Sequence, residues 1–262
     1  TIGEIASLGV YEEAEQLYAI AEKIPVTEKD NWVREFFLEE TYMAYTGRHD
    51  EVTQKYMSRV AGMSNEEILD AWNVDVGVIA YEFWLAGEHV RSIELYESMR
   101  HLQQVPTWAE RQMEINLLVA EMYHQVGRED EAEPLLEEAL AHLEAESDSG
   151  IRHPTTLGLL TQTYALLGQD DAALEMMDRA VDYGWYGLAS PYEEEHMFST
   201  KWQERLRVDP RFTASVDRMQ SLMDQQASNI RAMLARNDME ELLMPVMAMY
   251  AEKVNTAREQ GQ

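Results

Sequence analysis

The sequence predicts an all-α fold, an antiparallel helix-pair solenoid of about five units followed by a C-terminal helical hairpin. The first sign is a rhythm of glycines that follow an aromatic or apolar helix end. They stand at Gly9, Gly47, Gly87, Gly127 and Gly168, with spacings of 38, 40, 40 and 41 residues, and a fixed period of this length marks stacked supersecondary units. The second sign lies in the residues after each glycine. A small or short residue stands five positions after most of them (Ala14, Val52, Ser92, Ala132, Ala173), a larger apolar one nine after (Tyr18, Tyr56, Tyr96, Leu136, Met177), and often an alanine twelve after (Ala21, Ala139, Ala180). Such offsets share one helix face, where the small residue admits a neighbouring helix and the large one fills the gap beside it. Thirdly, no convincing strand alternation interrupts the stretch from Trp32 to Val181.

The elements come in order. Segments ahead of the glycines read as helices: Ser64 with Glu67, and Thr107 with Glu110, have capping-box spacing before long amphipathic runs. Each unit is thus helix, glycine turn, helix, with glycine favoured at the turn because it leaves the first helix through a left-handed conformation without a Cβ penalty. The repeats occupy 1–185, the first unit incomplete. A turn-rich link and short helix take 186–208, and a Met-rich tail or cap takes 209–262. Asp209 and Pro210 suit the N-cap and first position of a tail helix. Along it Phe212, Val216, Met219, Met223, Gln226, Ile230 and Met233 form a heptad seam with one polar member. A second tail helix is expected from Asp238, with Glu241 three residues on. Three roles stay open for this hairpin: a cap on the end of the array, a homodimer seam, or a docking helix for another chain.

The residues Ala120, Tyr123, Gly127, Ala132, Leu136 and Ala139 resemble a tetratricopeptide repeat, and Thr161, Tyr164, Gly168, Ala173, Met177 and Ala180 resemble a second. Ala80, Phe83, Gly87 and Tyr96 give a third, Gly47 with Tyr56 a fourth, and the unit around Gly9 keeps only its second helix. This resemblance spans roughly 1–185, with a longer period than the family's usual one. It implies a groove lined by first helices, at positions 13, 10, 6, 3 and 2 before each glycine. Expected groove residues are therefore Arg34, Phe37, Thr41, Tyr45, Tyr81, Trp84, Glu121, His124, Gln125 and Gln162, with Gly77, Leu117 and Gly158 at the position ten before. Family members that clamp acidic chaperone tails use Lys and Asn in the groove; Phe37 with Thr41, Gly77 with Tyr81, Leu117 with Glu121, and Gly158 with Gln162 stand there instead and hold no carboxylate. Gly184, Trp185, Pro191, Asp209, Pro210, Arg211 and Phe212 also resemble the closing segment of the repeat regions of bacterial adenylate cyclases and winged-helix transcription regulators. That likeness implies an output domain outside these residues, and the absence of an initiator methionine at Thr1 suggests a piece of something longer.

Charge narrows the partners. The chain of 262 residues has 21 Lys and Arg against 49 Asp and Glu, a net charge of −28. Such a surface repels nucleic-acid phosphates and anionic lipid, so neither is expected as a partner. Residues 200–262 carry nine basic and nine acidic side chains, which leaves the whole excess on the repeats. A neutral or basic protein segment with an apolar anchor is the expected ligand. No run of eighteen apolar residues occurs, so no membrane insertion is expected. The chain has no cysteine, which rules out disulfides and thiolate sites and tilts the expected compartment toward the periplasm over the cytoplasm.

Chemistry is hard to assemble. The seven histidines make no His-Glu-x-x-His or other two-ligand spacing on one helix. Glu193, Glu194 and Glu195 beside His196 read as a solvated linker, no Gly-rich phosphate loop follows a strand, and no serine sits in a nucleophile elbow. The expectation is a non-catalytic chain without cofactor or metal, an interaction scaffold or sensory module of a larger bacterial regulatory protein. Two alternatives are a homodimerisation module built on the tail and a small-molecule sensor with Trp185, Tyr186 and Trp202 around its pocket.

Overall fold

A computed structural model describes residues 8–21, 23, 48–71, 76–102, 109–149, 153–187 and 200–238, with 241, 244, 245, 248, 251 and 252 beyond. All elements among these residues are helical. In chain order they are α1 (Tyr11–Ala21), α2 (His49–Arg59), α3 (Asn65–Ala71), α4 (Val76–Leu85), α5 (His89–Leu102), α6 (Ala109–Gln125), α7 (Glu129–Asp148), α8 (Pro154–Leu166), α9 (Asp170–Asp182), α10 (Thr200–Leu206) and α11 (Pro210–Leu234).

Backbone contacts divide the chain into two compact units. The larger takes Thr53–Leu188 with His196–Met219, the smaller Thr1–Val52, Ala189–Glu195 and Gln220–Gln262. In the larger unit α4 packs on α5, α6 on α7 and α8 on α9, while α5 also meets α6, α7 meets α8, and α6 lies beside α8. This is the expected order of stacked helix pairs. In the smaller unit Val10, Ala14 and Leu17 of the α1 region are buried. There the Arg231 guanidinium donates to the Gly9 carbonyl at 3.2 Å and lies 3.5 Å from Glu13.

The turns explain the period. Gly127 adopts φ 77°, a left-handed conformation that an L side chain strains to reach. It lets the Arg128 N–H donate back to the Tyr123 carbonyl at 2.8 Å, which satisfies an orphan helix-end acceptor. The same bond recurs from Glu88 to Phe83 and from Gln169 to Tyr164, each 2.8 Å. The backbone carbonyl four residues before the glycine is therefore part of the turn. The residues five after the glycines, Ala14, Val52, Ser92, Ala132 and Ala173, are all buried, as are Tyr56, Tyr96, Leu136 and Met177 nine after and Ala139 and Ala180 twelve after. Where α5 crosses α4, the Ser92 hydroxyl donates to the Ala80 carbonyl, so two small residues meet at the crossing. Ser64 and Glu67 form the expected capping box: the Ser64 N–H donates to Glu67 at 2.7 Å and the Glu67 N–H to Ser64 Oγ at 3.2 Å. Hydrogen bonding from Ser64 holds the Glu67 carboxyl below its usual range. Thr107 lies outside the described residues.

Candidate functional site

The groove expected on the first helices splits into two faces. Residues ten before the turn glycine look into their own pair. Tyr96 donates its hydroxyl to the Gly77 carbonyl at 2.8 Å, Leu117 is buried, and a Cβ on Gly158 would fall 2.5 Å from the Trp185 indole. Trp84, three before its glycine, is buried and stacks on His89 with ring centroids 4.2 Å apart. Tyr81, His124 and Gln125 are half-buried, and Leu85 is exposed. Arg34, Phe37, Thr41 and Tyr45 lie outside the described residues.

Glu121 and Gln162 are brought together. Both stand six before a turn glycine, on α6 and α8, and Gln162 Nε2 donates to Glu121 Oε2 at 2.9 Å. Both are buried, and Glu121 Oε1 has no hydrogen-bond partner. Burial pushes the Glu121 carboxyl up to about 8, against a smaller opposing effect of the bond from Gln162. A second recurring contact ties α6 and α8 each to the pair before it. Tyr123 donates its hydroxyl to Glu97 of α5, and Tyr164 donates to Glu144 of α7 at 2.5 Å. Arg128 covers the Tyr123 ring at 4.2 Å and pairs with Glu131 at 2.5 Å. Burial, then the hydrogen-bonded carboxylate, raises both tyrosines to about 12, so they stay protonated donors.

The tail makes contacts that its sequence did not suggest. Arg205 pairs with Asp170 at 2.8 Å, Arg211 with Asp171 at 2.6 Å, and Arg218 with both Asp178 and Asp182. From 171 to 211 and from 178 to 218 the offset is 40 residues, so α9 and this part of α11 run parallel, as second helices of successive pairs do. The same offset of 40 puts Val208 where the next turn glycine would be, and Asp209, whose carboxylate caps the Arg211 N–H at 2.8 Å, at the place of Gln169 before α9. The signal was present as Asp171 and Asp178, and Arg211 and Arg218, each pair seven residues apart. Along α11, Phe212, Met219 and Met223 are buried and Val216 and Ile230 half-buried, but Gln226 and Met233 are exposed while Ala227 and Leu234 are buried. A straight helix at 3.6 residues per turn drifts away from a 3.5-residue seam, which moves the buried line by one position. The Glu241 N–H donates to Asp238 at 3.3 Å, the N-cap expected there.

Trp185 and Tyr186 are half-buried and Trp202 is buried. Among the described residues no group of three or more His, Asp or Glu is placed to hold a metal ion, and no helix is long and apolar enough to cross a membrane. No curated protein and no solved structure matches the chain. A family profile does: residues 111–183, which run from α6 through α9, match the tetratricopeptide repeat. This chain therefore contains a tetratricopeptide repeat region, a kind of module that binds other proteins and is typically non-catalytic.

Proposed function

We propose that the chain is an interaction scaffold, a module of a larger bacterial regulatory protein, and that its first helices hold a neutral-to-basic partner segment with an apolar anchor. The observation that carries this reading is the side-by-side packing of α6 and α8, first helices of successive pairs. Half-buried polar and aromatic side chains on the first helices, Tyr81 of α4 and His124 and Gln125 of α6, support it, because these are the helices the family uses for binding. The net charge of −28 selects the sign of the partner. For the tail, the pairing of α9 with α11 supports the role of a cap on the array over that of a homodimer seam.

The test is a titration of the full chain with peptides that share one aromatic residue and differ in flanking Lys, Gln or Glu. The Lys series should bind, the Glu series should not, and Tyr81→Ala should weaken the Lys series about tenfold, the scale of a moderate hot spot, with unchanged helicity. Equal affinity of wild type and Tyr81→Ala, or no binding by any series, would reject the reading.

A further inference from the structure

Glu121 and Gln162 occupy the same place in successive first helices, and their hydrogen bond of 2.9 Å crosses the contact between α6 and α8. Glu121 is 1% exposed and Gln162 7%. One carboxyl oxygen accepts a hydrogen bond from the Gln162 amide, and the other is buried without a hydrogen-bond partner. A buried carboxylate needs a paired cation or several donors to stay charged, and otherwise it keeps its proton.

The surroundings offer no such cation among the described side chains. Helix α8 carries no charged residue, and its titratable Tyr164 donates to Glu144. The buried face of α7 is Ala132, Leu135, Leu136, Ala139 and Leu143, with its exposed carboxylates elsewhere. On α5, Glu97 takes the Tyr123 hydroxyl and Arg91 lies over the Phe83 ring. Helix α6 itself adds Tyr123 and the half-buried His124, with Glu114 two turns before Glu121 in sequence and Glu110 and Arg111 further off, and Glu121 forms no ion pair with a described side chain.

We propose that Glu121 and Gln162 form a proton-operated joint between successive helix pairs: a neutral Glu121 carboxyl keeps α6 and α8 closed on each other, and its ionisation draws water to the pair and parts them. This does not depend on what the first helices bind. Because the folded carboxyl titrates near 8 and the unfolded one near 4.5, the folded chain holds more protons between these values. Stability from the closed joint is therefore complete below about pH 4.5 and is lost as pH rises toward 8.

The test uses the full chain carrying carboxyl-13C glutamate, with the Glu121 resonance assigned by its loss in Glu121→Gln. Its midpoint should lie near 8, and amide exchange along α8, corrected for base catalysis, should accelerate through that midpoint in wild type and stay flat in Glu121→Gln. Gln162→Leu keeps the acid and removes a donor that favours its charged form, so it should move the midpoint higher still. This second variant carries the test if Glu121→Gln fails to fold. A midpoint in the ordinary carboxylate range, α8 exchange in wild type with no step, or an unmoved or lowered midpoint in Gln162→Leu would each overturn the proposal.

Discussion

A missing Cβ has opposite consequences at two equivalent positions, Gly77 and Gly158. A methyl on Gly158 would meet Trp185 Cε2 at 2.5 Å and Nε1 at 2.7 Å. The methyl would meet the ring itself and not the end of a flexible chain, and the Trp185 main chain is held by its backbone N–H donating to the Ala180 carbonyl at 2.9 Å. On Gly77 the nearest atom is the flexible Met99 methyl at 3.6 Å, an ordinary contact. Alanine in a helix interior gains about 1 kcal/mol over glycine, and overpacking a core costs about 1–3 kcal/mol. Gly77→Ala is therefore expected to stabilise the chain by up to about 1 kcal/mol, and Gly158→Ala to destabilise it by about 1 kcal/mol or more. Urea unfolding of both variants checks this. Equal signs would mean that Trp185 does not decide the packing at Gly158. The position ten before the turn also shows why the groove was only partly legible. Family spacing identifies equivalent residues, but the indole that covers one of them arrives from the far end of the second helix.

At the scale of elements, α9 and α11 are joined by charge as well as by packing. Arg211 and Arg218 match Asp171 and Asp178 at a constant offset, and Arg218 is shared with Asp182. The Arg218 and Asp178 side chains are 43% and 60% exposed, so solvent screens their attraction heavily; exposed pairs give less than about 1 kcal/mol each. A double-mutant cycle of Arg218→Ala with Asp178→Ala should give a coupling of about 0.5 kcal/mol at low salt. It should vanish near 1 M salt, where the screening length is about 3 Å. Coupling that survives 1 M salt would assign the contact to packing. The helix pairs themselves were legible from sequence because the glycine turn and the small crossing residue are local requirements repeated at one period. That α10 and α11 continue the same period was not, because Val208 stands in place of the glycine that marks it. The tail seam was misplaced at Gln226 and Met233 because a seven-residue pattern was extended along a helix that does not supercoil to follow it.

For the whole molecule the net charge of −28 opposes the local pairs. Like charges spread over the repeats destabilise the compact state, while the arginines of the tail and turns attract. Salt screens both, so the sign of its effect on stability reports which dominates. Acidic residues outnumber basic ones by 49 to 21, and the exposed pairs each contribute little, so repulsion should win. The melting temperature is expected to rise between about 0.02 and 0.3 M sodium chloride, as the screening length falls from roughly 20 Å to less than 10 Å, even while the coupling of Arg218 to Asp178 declines. Association with a basic segment should slow over the same range, because the field that accelerates encounter is screened with the field that strains the fold. A melting temperature that falls with salt would show that attraction outweighs repulsion; a salt-independent association rate would show that the excess charge lies on surfaces the partner does not approach.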